Sequence, residues 1–267
     1  MNRRAKNLRI LRIVLPVLML AFVLLAWDLV VRLFAIPPYV LPGPGLVLAT
    51  LIADAGLLWQ SLLVTLAITF EGFLLAAFGG IALAIAFNQW RLVEYSFYPY
   101  AVILQVTPVV AIAPLLLIWI GYDNVSEVLV VLAWIIAFFT VLSNTITGLR
   151  SADHNLIDLM KLYGASRWQV LWRLQLPGAM PYILTGMKIS GGLALIGAVT
   201  AEFVAGSGTD LGLGWVITLA NRNLDTAQEF AALALLSILG IAILFAMTAL
   251  EWALLHRWHE SAVKRES

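Results

Sequence analysis

Chemistry needs ionisable side chains, and in this sequence few of them sit inside the long apolar runs. Asp28, Glu71 and Glu202 do; a charge there is costly and marks a functional candidate. Asp28 precedes Arg32 by four residues, a spacing that lets the two pair along one helix face. Glu71 falls in the middle of its run, where it either lines a solute path or hydrogen-bonds a neighbouring helix while protonated. Glu202 precedes a glycine-rich stretch and reads as path-lining or as an anchor for that turn. The groupings that catalyse reactions are missing: there is no HExxH, no nucleophile elbow and no carboxylate ladder. His154, His256 and His259 do not form one, and the last two, three residues apart, read as a surface pair at a lipid boundary. The glycines of residues 206–214 lack the Gly-Lys-Ser/Thr of a phosphate cradle. No cysteine is present, which removes disulfides and thiolate metal sites. The chain is therefore not expected to be an enzyme or to bind a metal or cofactor itself.

The elements that position these residues follow from composition. The 267 residues are 62% hydrophobic and 12% charged, against about 25% charged in a soluble domain. The fold class expected is all-α integral membrane. At about 20 residues per span, six helices are predicted, near 13–35, 60–87, 99–121, 126–148, 182–205 and 228–255. The first is too long for a signal-peptide core and is read as a retained span. Prolines in residues 36–44 forbid continuous helix, and a short helix over 46–58 is expected to lie on the outer surface. With the N-terminus inside, fourteen of the sixteen Lys and Arg residues fall on the inner side, leaving Arg32 and Arg222 outside. That is the positive-inside pattern, with both termini cytoplasmic. Most tryptophans fall near span ends, as interfacial belts do. The net charge of +1 argues nothing about nucleic acid, but no basic cluster lies outside the loops expected at a membrane surface, and no nucleic-acid partner is expected.

Two spans carry features beyond length. The third holds Pro108 and Pro114 within residues 105–119, and such prolines bend a membrane helix, either to shape a pore or as packing kinks. In the fifth, Gly186, Ser190, Ala194 and Ala198 recur every four residues. Small residues at that spacing let backbones approach closely, at a subunit interface or along the walls of a path. The translocation-path candidates are Glu71, Gln105, Pro108, Ser190, Ala194 and Glu202.

Residues 153–181 are the long polar insertion in this apolar chain. Leu156, Ile157, Met160 and Tyr163 recur at helical spacing, and Gly164 is placed to end that helix in a left-handed cap. Ser166, with Gln169 three residues on, is the capping-box pattern for a second helix. Pro177 and Pro181 are expected to stop it. Asp158-Leu159-Met160, Gly164-Ala165-Ser166-Arg167-Trp168-Gln169 and Leu176-Pro177 together resemble the cytoplasmic "EAA" loop of binding-protein-dependent ABC importer permeases. Asp replaces the first Glu of that motif, and Leu-Met replace its two alanines. The Pro-rich segment at 36–44 resembles the nitrate/sulfonate/taurine branch of the same family.

The resemblance implies a type I importer permease with a coupling-helix loop, residues 150–181, between its fourth and fifth spans. It divides the chain into a tail at 1–12, a first span and outer segment at 13–58, a permease core at 59–257 and a tail at 258–267. It implies a homodimer in the inner membrane, two ATP-binding cassette subunits that carry the ATP and magnesium, and an extracytoplasmic solute-binding protein. Asp158, Leu159, Met160, Tyr163, Gly164, Ala165, Ser166 and Arg167 then carry ATPase coupling. The solute implied is a small sulfonate-, taurine- or nitrate-type anion, or a heterocycle such as riboflavin or a thiamine-precursor pyrimidine. The alternative is an ATP-independent secondary transporter or channel.

Overall fold

The computed structural model describes residues 3–205 and 212–255, with side chains from residue 14 onward and excepting that of residue 205. His256, His259, the tail from 258 and the glycine-rich residues 206–211 lie outside the described residues. The described chain is helical without strands. Its helices are α1 (Arg3–Leu33), α2 (Pro44–Ala53), α3 (Ala55–Gln89), α4 (Arg91–Val106), α5 (Val109–Ile120) and α6 (Val125–Arg150), followed by α7 (His154–Leu162), α8 (Arg167–Val170), α9 (Leu176–Ala205), α10 (Leu213–Arg222) and α11 (Thr226–Leu255). Five described helices are long and apolar enough to cross a membrane, or six if α4 and α5 count as one broken span.

The chain divides into two compact units, Met1–Trp59 with Val216–Leu235, and Gln60–Trp215 with Leu236–Ser267. In the first, α1 exposes Leu, Val and Phe over nearly its whole described apolar length, as a helix bathed in lipid does. The expected Asp28–Arg32 pair forms at 2.7 Å. Trp27 packs against Phe230, the Thr226 hydroxyl donates to the Tyr39 carbonyl at 2.6 Å, and the Gln228 amide donates to Asp54 at 2.9 Å. The start of α11 is thereby tied to the Pro-rich segment and to the α2–α3 junction. Pro44 opens α2 at a first-turn position, where a missing N–H costs nothing.

The second unit is organised around α6, which is buried along most of its length. Glycines on its neighbours bring backbones against it. A Cβ on Gly72 of α3 would sit 2.8 Å from the Ala133 Cβ, one on Gly186 of α9 would sit 2.8 Å from the Asn144 Cβ, and one on Gly197 would sit 2.8 Å from the Ala133 Cα. Lipid supplies no hydrophobic drive between helices, so this close approach, with its dispersion contacts, is what holds them.

Two predicted elements are corrected. The third span is not one kinked helix: α4 and α5 meet at 107°. Pro108 lacks the N–H to continue α4, and it holds Thr107 in extended backbone (φ −72°, ψ 126°). Pro177 and Pro181, expected to stop a helix, do not. The chain passes from α8 through a π-helical turn at Leu171–Gln175 into α9 without a break. The wider i→i+5 turn gives the Pro177 ring room, and Pro181 lies within α9 beyond it.

Candidate functional site

The polar insertion folds as a capped helix pair. Asp153 caps α7, its carboxylate accepting from the Asn155 N–H at 2.8 Å. At the other end Gly164 adopts φ +75°. The Gly164 N–H reaches the Lys161 carbonyl at 2.9 Å and the Ala165 N–H reaches that of Met160 at 3.0 Å. That pair of bonds is a Schellman cap, which requires the left-handed conformation that glycine adopts without a steric cost. Two residues on, the Gln169 N–H donates to the Ser166 hydroxyl at 3.3 Å while the Ser166 N–H donates to the Gln169 side chain at 2.7 Å. The capping box read from the sequence is closed in both directions.

These caps fix an elbow whose apolar side chains face outward. Leu162 and Tyr163 are each 85% exposed, and Leu159 is exposed beside them. Asp158 and Lys161, both largely exposed, pair at 3.0 Å. Leu159, Met160, Tyr163, Gly164 and Ala165 edge a hollow of about 310 Å³ whose far wall is Gln169 and Arg173. Arg167 points the other way: its guanidinium donates to the Gln89 carbonyl at 3.0 Å and pins α8 to the end of α3. Trp168 meets Trp90 edge-to-face at 6.2 Å on the same seam. The elbow is held at its root and bare at its tip.

The path candidates separate into two groups. Glu71, Gln105 and Pro108 are exposed on the described surface, Glu71 beside a small hollow that Ser126 shares. Ser190, Ala194 and Glu202 are buried, and each has an interior role in this chain. The Ser190 hydroxyl donates to the Ala137 carbonyl at 3.1 Å, and Ala194 is fully enclosed. Within this chain the small-residue stripe seats α9 on α6. Glu202 is 1% exposed. Its carboxylate accepts from the Thr65 hydroxyl at 2.8 Å and from the Gly214 N–H at 2.6 Å, while Thr65 accepts from the Leu213 N–H at 2.8 Å. Carboxylate and hydroxyl together satisfy the first N–H groups of α10, where the helix dipole favours negative charge. A Cβ on Gly212 would overlap that carboxylate, so the close approach requires glycine there. Of the two readings of Glu202, the geometry is that of an anchor.

Sequence reasoning missed Thr65, which lies 137 residues from its partner, and no local pattern points to it. It also counted Lys188 with the inner loops. Lys188 lies inside α9 and pairs with Glu251 of α11 at 3.1 Å.

Comparison with known proteins bears on what this arrangement belongs to. A family profile described as "Binding-protein-dependent transport system inner membrane component" matches residues 76–258. The chain belongs to that family. It is a multi-pass inner-membrane permease. It is 37% identical to the riboflavin transport system permease protein RibX of Chloroflexus aurantiacus, over 92% of this chain and 90% of that one. It is 34% identical to the formylaminopyrimidine transport permease protein ThiX of Halalkalibacterium halodurans, over 90% of this chain and 94% of that one. A solved structure of the MetNI methionine ABC transporter in an inward-facing conformation shares the fold. Its TM-score is 0.57 at 18% identity, over 74% of this permease and 94% of that chain. The permease therefore has the type I importer fold.

Proposed function

We propose that this permease is the membrane-spanning subunit of an ATP-driven importer that carries a small heterocyclic solute into the cytoplasm by alternating access. It works as a homodimer with two ATPase subunits, which hold the ATP and magnesium, and receives cargo from an extracytoplasmic solute-binding protein. The observation that carries this reading is the α7–α8 elbow. A rigidly capped turn that presents Leu162 and Tyr163 to solvent offers an apolar contact for a partner.

The helix geometry supports a mechanical role. Arg167–Val204 runs as one uninterrupted helical segment, so displacement of the elbow is carried into α9 without a hinge. Because α9 is seated on α6 through glycine contacts, the two move together. ATP-driven closure of the ATPases then tilts the pair and exchanges inward for outward access. The distribution of Lys and Arg supports a cytoplasmic elbow, where an ATPase would meet it. For the solute, the heterocycles named for the two relatives support the same class here. The cation inside α9, Lys188, is already paired with Glu251 and leaves little to attract a dense anion.

The test is a mild-detergent pull-down of tagged permease from its own membranes, with mass spectrometry of what accompanies it. A P-loop ATPase that co-purifies, and is lost when residues 158–167 are altered, supports the reading. An accompanying binding protein is then titrated with riboflavin-like heterocycles and with taurine. A permease that purifies alone and moves solute without ATP overturns the importer reading; preference for taurine overturns the heterocycle.

A further inference from the structure

Behind the elbow, on the side of α7 away from Leu162 and Tyr163, lies a cavity of about 570 Å³. It is bounded by the end of α3, the first turns of α4, the end of α6 and the first turn of α7. That volume falls within the range of about 300–1,000 Å³ typical of small-molecule sites. Its polar lining is dominated by donors. Arg91 and His154 face it and make no hydrogen bond or ion pair among the described residues. Arg150 faces it while gripping Glu94, and the Tyr95 hydroxyl adds another donor. Glu94, the carboxylate in the lining, is occupied by Arg150. Along the floor, the Asn88 amide donates to Gln175 at 2.9 Å, and the Gln175 amide donates to the Leu149 carbonyl at 3.4 Å. The Gln175 oxygen is thereby taken, and the Asn88 oxygen is left as an acceptor in the lining.

A cavity whose donors on Arg91, Arg150, His154 and Tyr95 outnumber its free acceptors fits a ligand made of acceptors. We propose that it binds a phosphate ester, through Arg91, Arg150 and His154, and that the bound anion fastens α7 to α4 and α6. Guanidinium groups match phosphate oxygens in two-pronged geometry, which an ammonium cannot do. The setting suits a lipid headgroup or a soluble phosphate ester equally in chemistry. Trp90 and Trp168 pack edge-to-face beside Arg91 and Arg167, as aromatic residues do at headgroup level, and basic pockets between membrane helices hold anionic headgroups. Because His154 and Ile157 of α7 form part of the wall, an occupant contacts the same helix whose opposite side carries Leu162 and Tyr163. The effect on transport rests on the importer reading; the binding itself does not.

The experiment uses full-length permease, with whatever subunits accompany it, recovered from vesicles of phosphatidylcholine with or without phosphatidylglycerol. Native mass spectrometry reads retained lipid, and calorimetric titration with glycerol phosphate and inorganic phosphate reads soluble anion. Arg91→Gln and His154→Gln remove donors from the cavity, and Arg32→Gln removes a cation elsewhere. Retention of phosphatidylglycerol that falls about tenfold in Arg91→Gln, and not in Arg32→Gln, supports the site with lipid as source. Binding of glycerol phosphate lost in the same variants supports it with a soluble source. Lipid retention and glycerol phosphate binding both equal in all variants, or no anion bound by either assay, overturns the proposal. ATP-driven uptake is measured in the same vesicles. If anion binds but no ATP-dependent uptake occurs in any lipid, the importer reading fails and the site stands.

Discussion

Two regions of this permease are built around glycine, for opposite reasons. In α9, Gly186 and Gly197 are glycine because Asn144 and the Ala133 backbone of α6 occupy the space a side chain would need. At the elbow, nothing lies within 4 Å of where a Gly164 Cβ would stand, and glycine is there for its φ of +75°. The first region is closed: its small residues, the Ser190 bond and the Glu202 cap are all satisfied by this chain. The second is open, with complete caps and an exposed apolar tip. The contrast separates what the chain needs in order to fold from what it leaves exposed.

Substitutions can break or sharpen that contrast. The largest effect is expected from Gly197→Leu, which drives a side chain into the Ala133 backbone. A loss of about 3 kcal/mol or more is expected, read as loss of the folded species in detergent-exclusion chromatography. Persistence of a monodisperse, thermally unchanged permease would show that α9 is not seated on α6 as described. Glu202→Ala comes next. It strands the Gly214 N–H and takes from Thr65 its acceptor in a buried site, at a cost of about 2 kcal/mol, read as a lowered melting temperature. Glu202→Gln, which keeps one acceptor, should fall between the two proteins.

Gly164→Leu inverts the balance between folding and function. The strain of a left-handed leucine is only about 1–2 kcal/mol, so the permease should remain folded. ATP hydrolysis by the assembled complex should continue while uptake drops at least about tenfold. Normal uptake in that variant would remove the elbow from the mechanism. The smallest effect belongs to Ser166→Ala, which opens one side of the capping box at about 1 kcal/mol. It should be visible as faster amide exchange at Gln169 with transport nearly unchanged.

What could be read in the sequence follows the range of the interactions. The turn of the elbow was legible, because Gly164, Ser166 and Gln169 act on backbone groups no more than a few residues away, whereas the Asp153 cap was not read. The small-residue stripe announced close packing but not its partner. The same four-residue spacing serves a neighbour within the chain or one outside it, and only coordinates set Ala137 and Asn144 opposite. Prolines were legible as breaks but not in degree. Pro108 broke its span by 107°, whereas Pro177 was absorbed because the preceding turn widened. Glu202 was recognisable as costly. Its partner Thr65 was not, since a threonine in an apolar helix is unremarkable until the fold brings a carboxylate to it.

The π-turn at Leu171–Gln175 also sets the angular phase between the elbow and the helix that follows it. A turn that spends one residue more than its neighbours rotates everything before it by about 100° relative to everything after it, since an α-helix makes a full circuit in 3.6 residues. The phase now in place points Arg167 at Gln89 and Trp168 at Trp90. Removing one residue from this stretch would leave composition, hydropathy and helix content almost untouched. It would nevertheless swing the elbow to a different compass bearing, like a key cut correctly but mounted askew on its shaft.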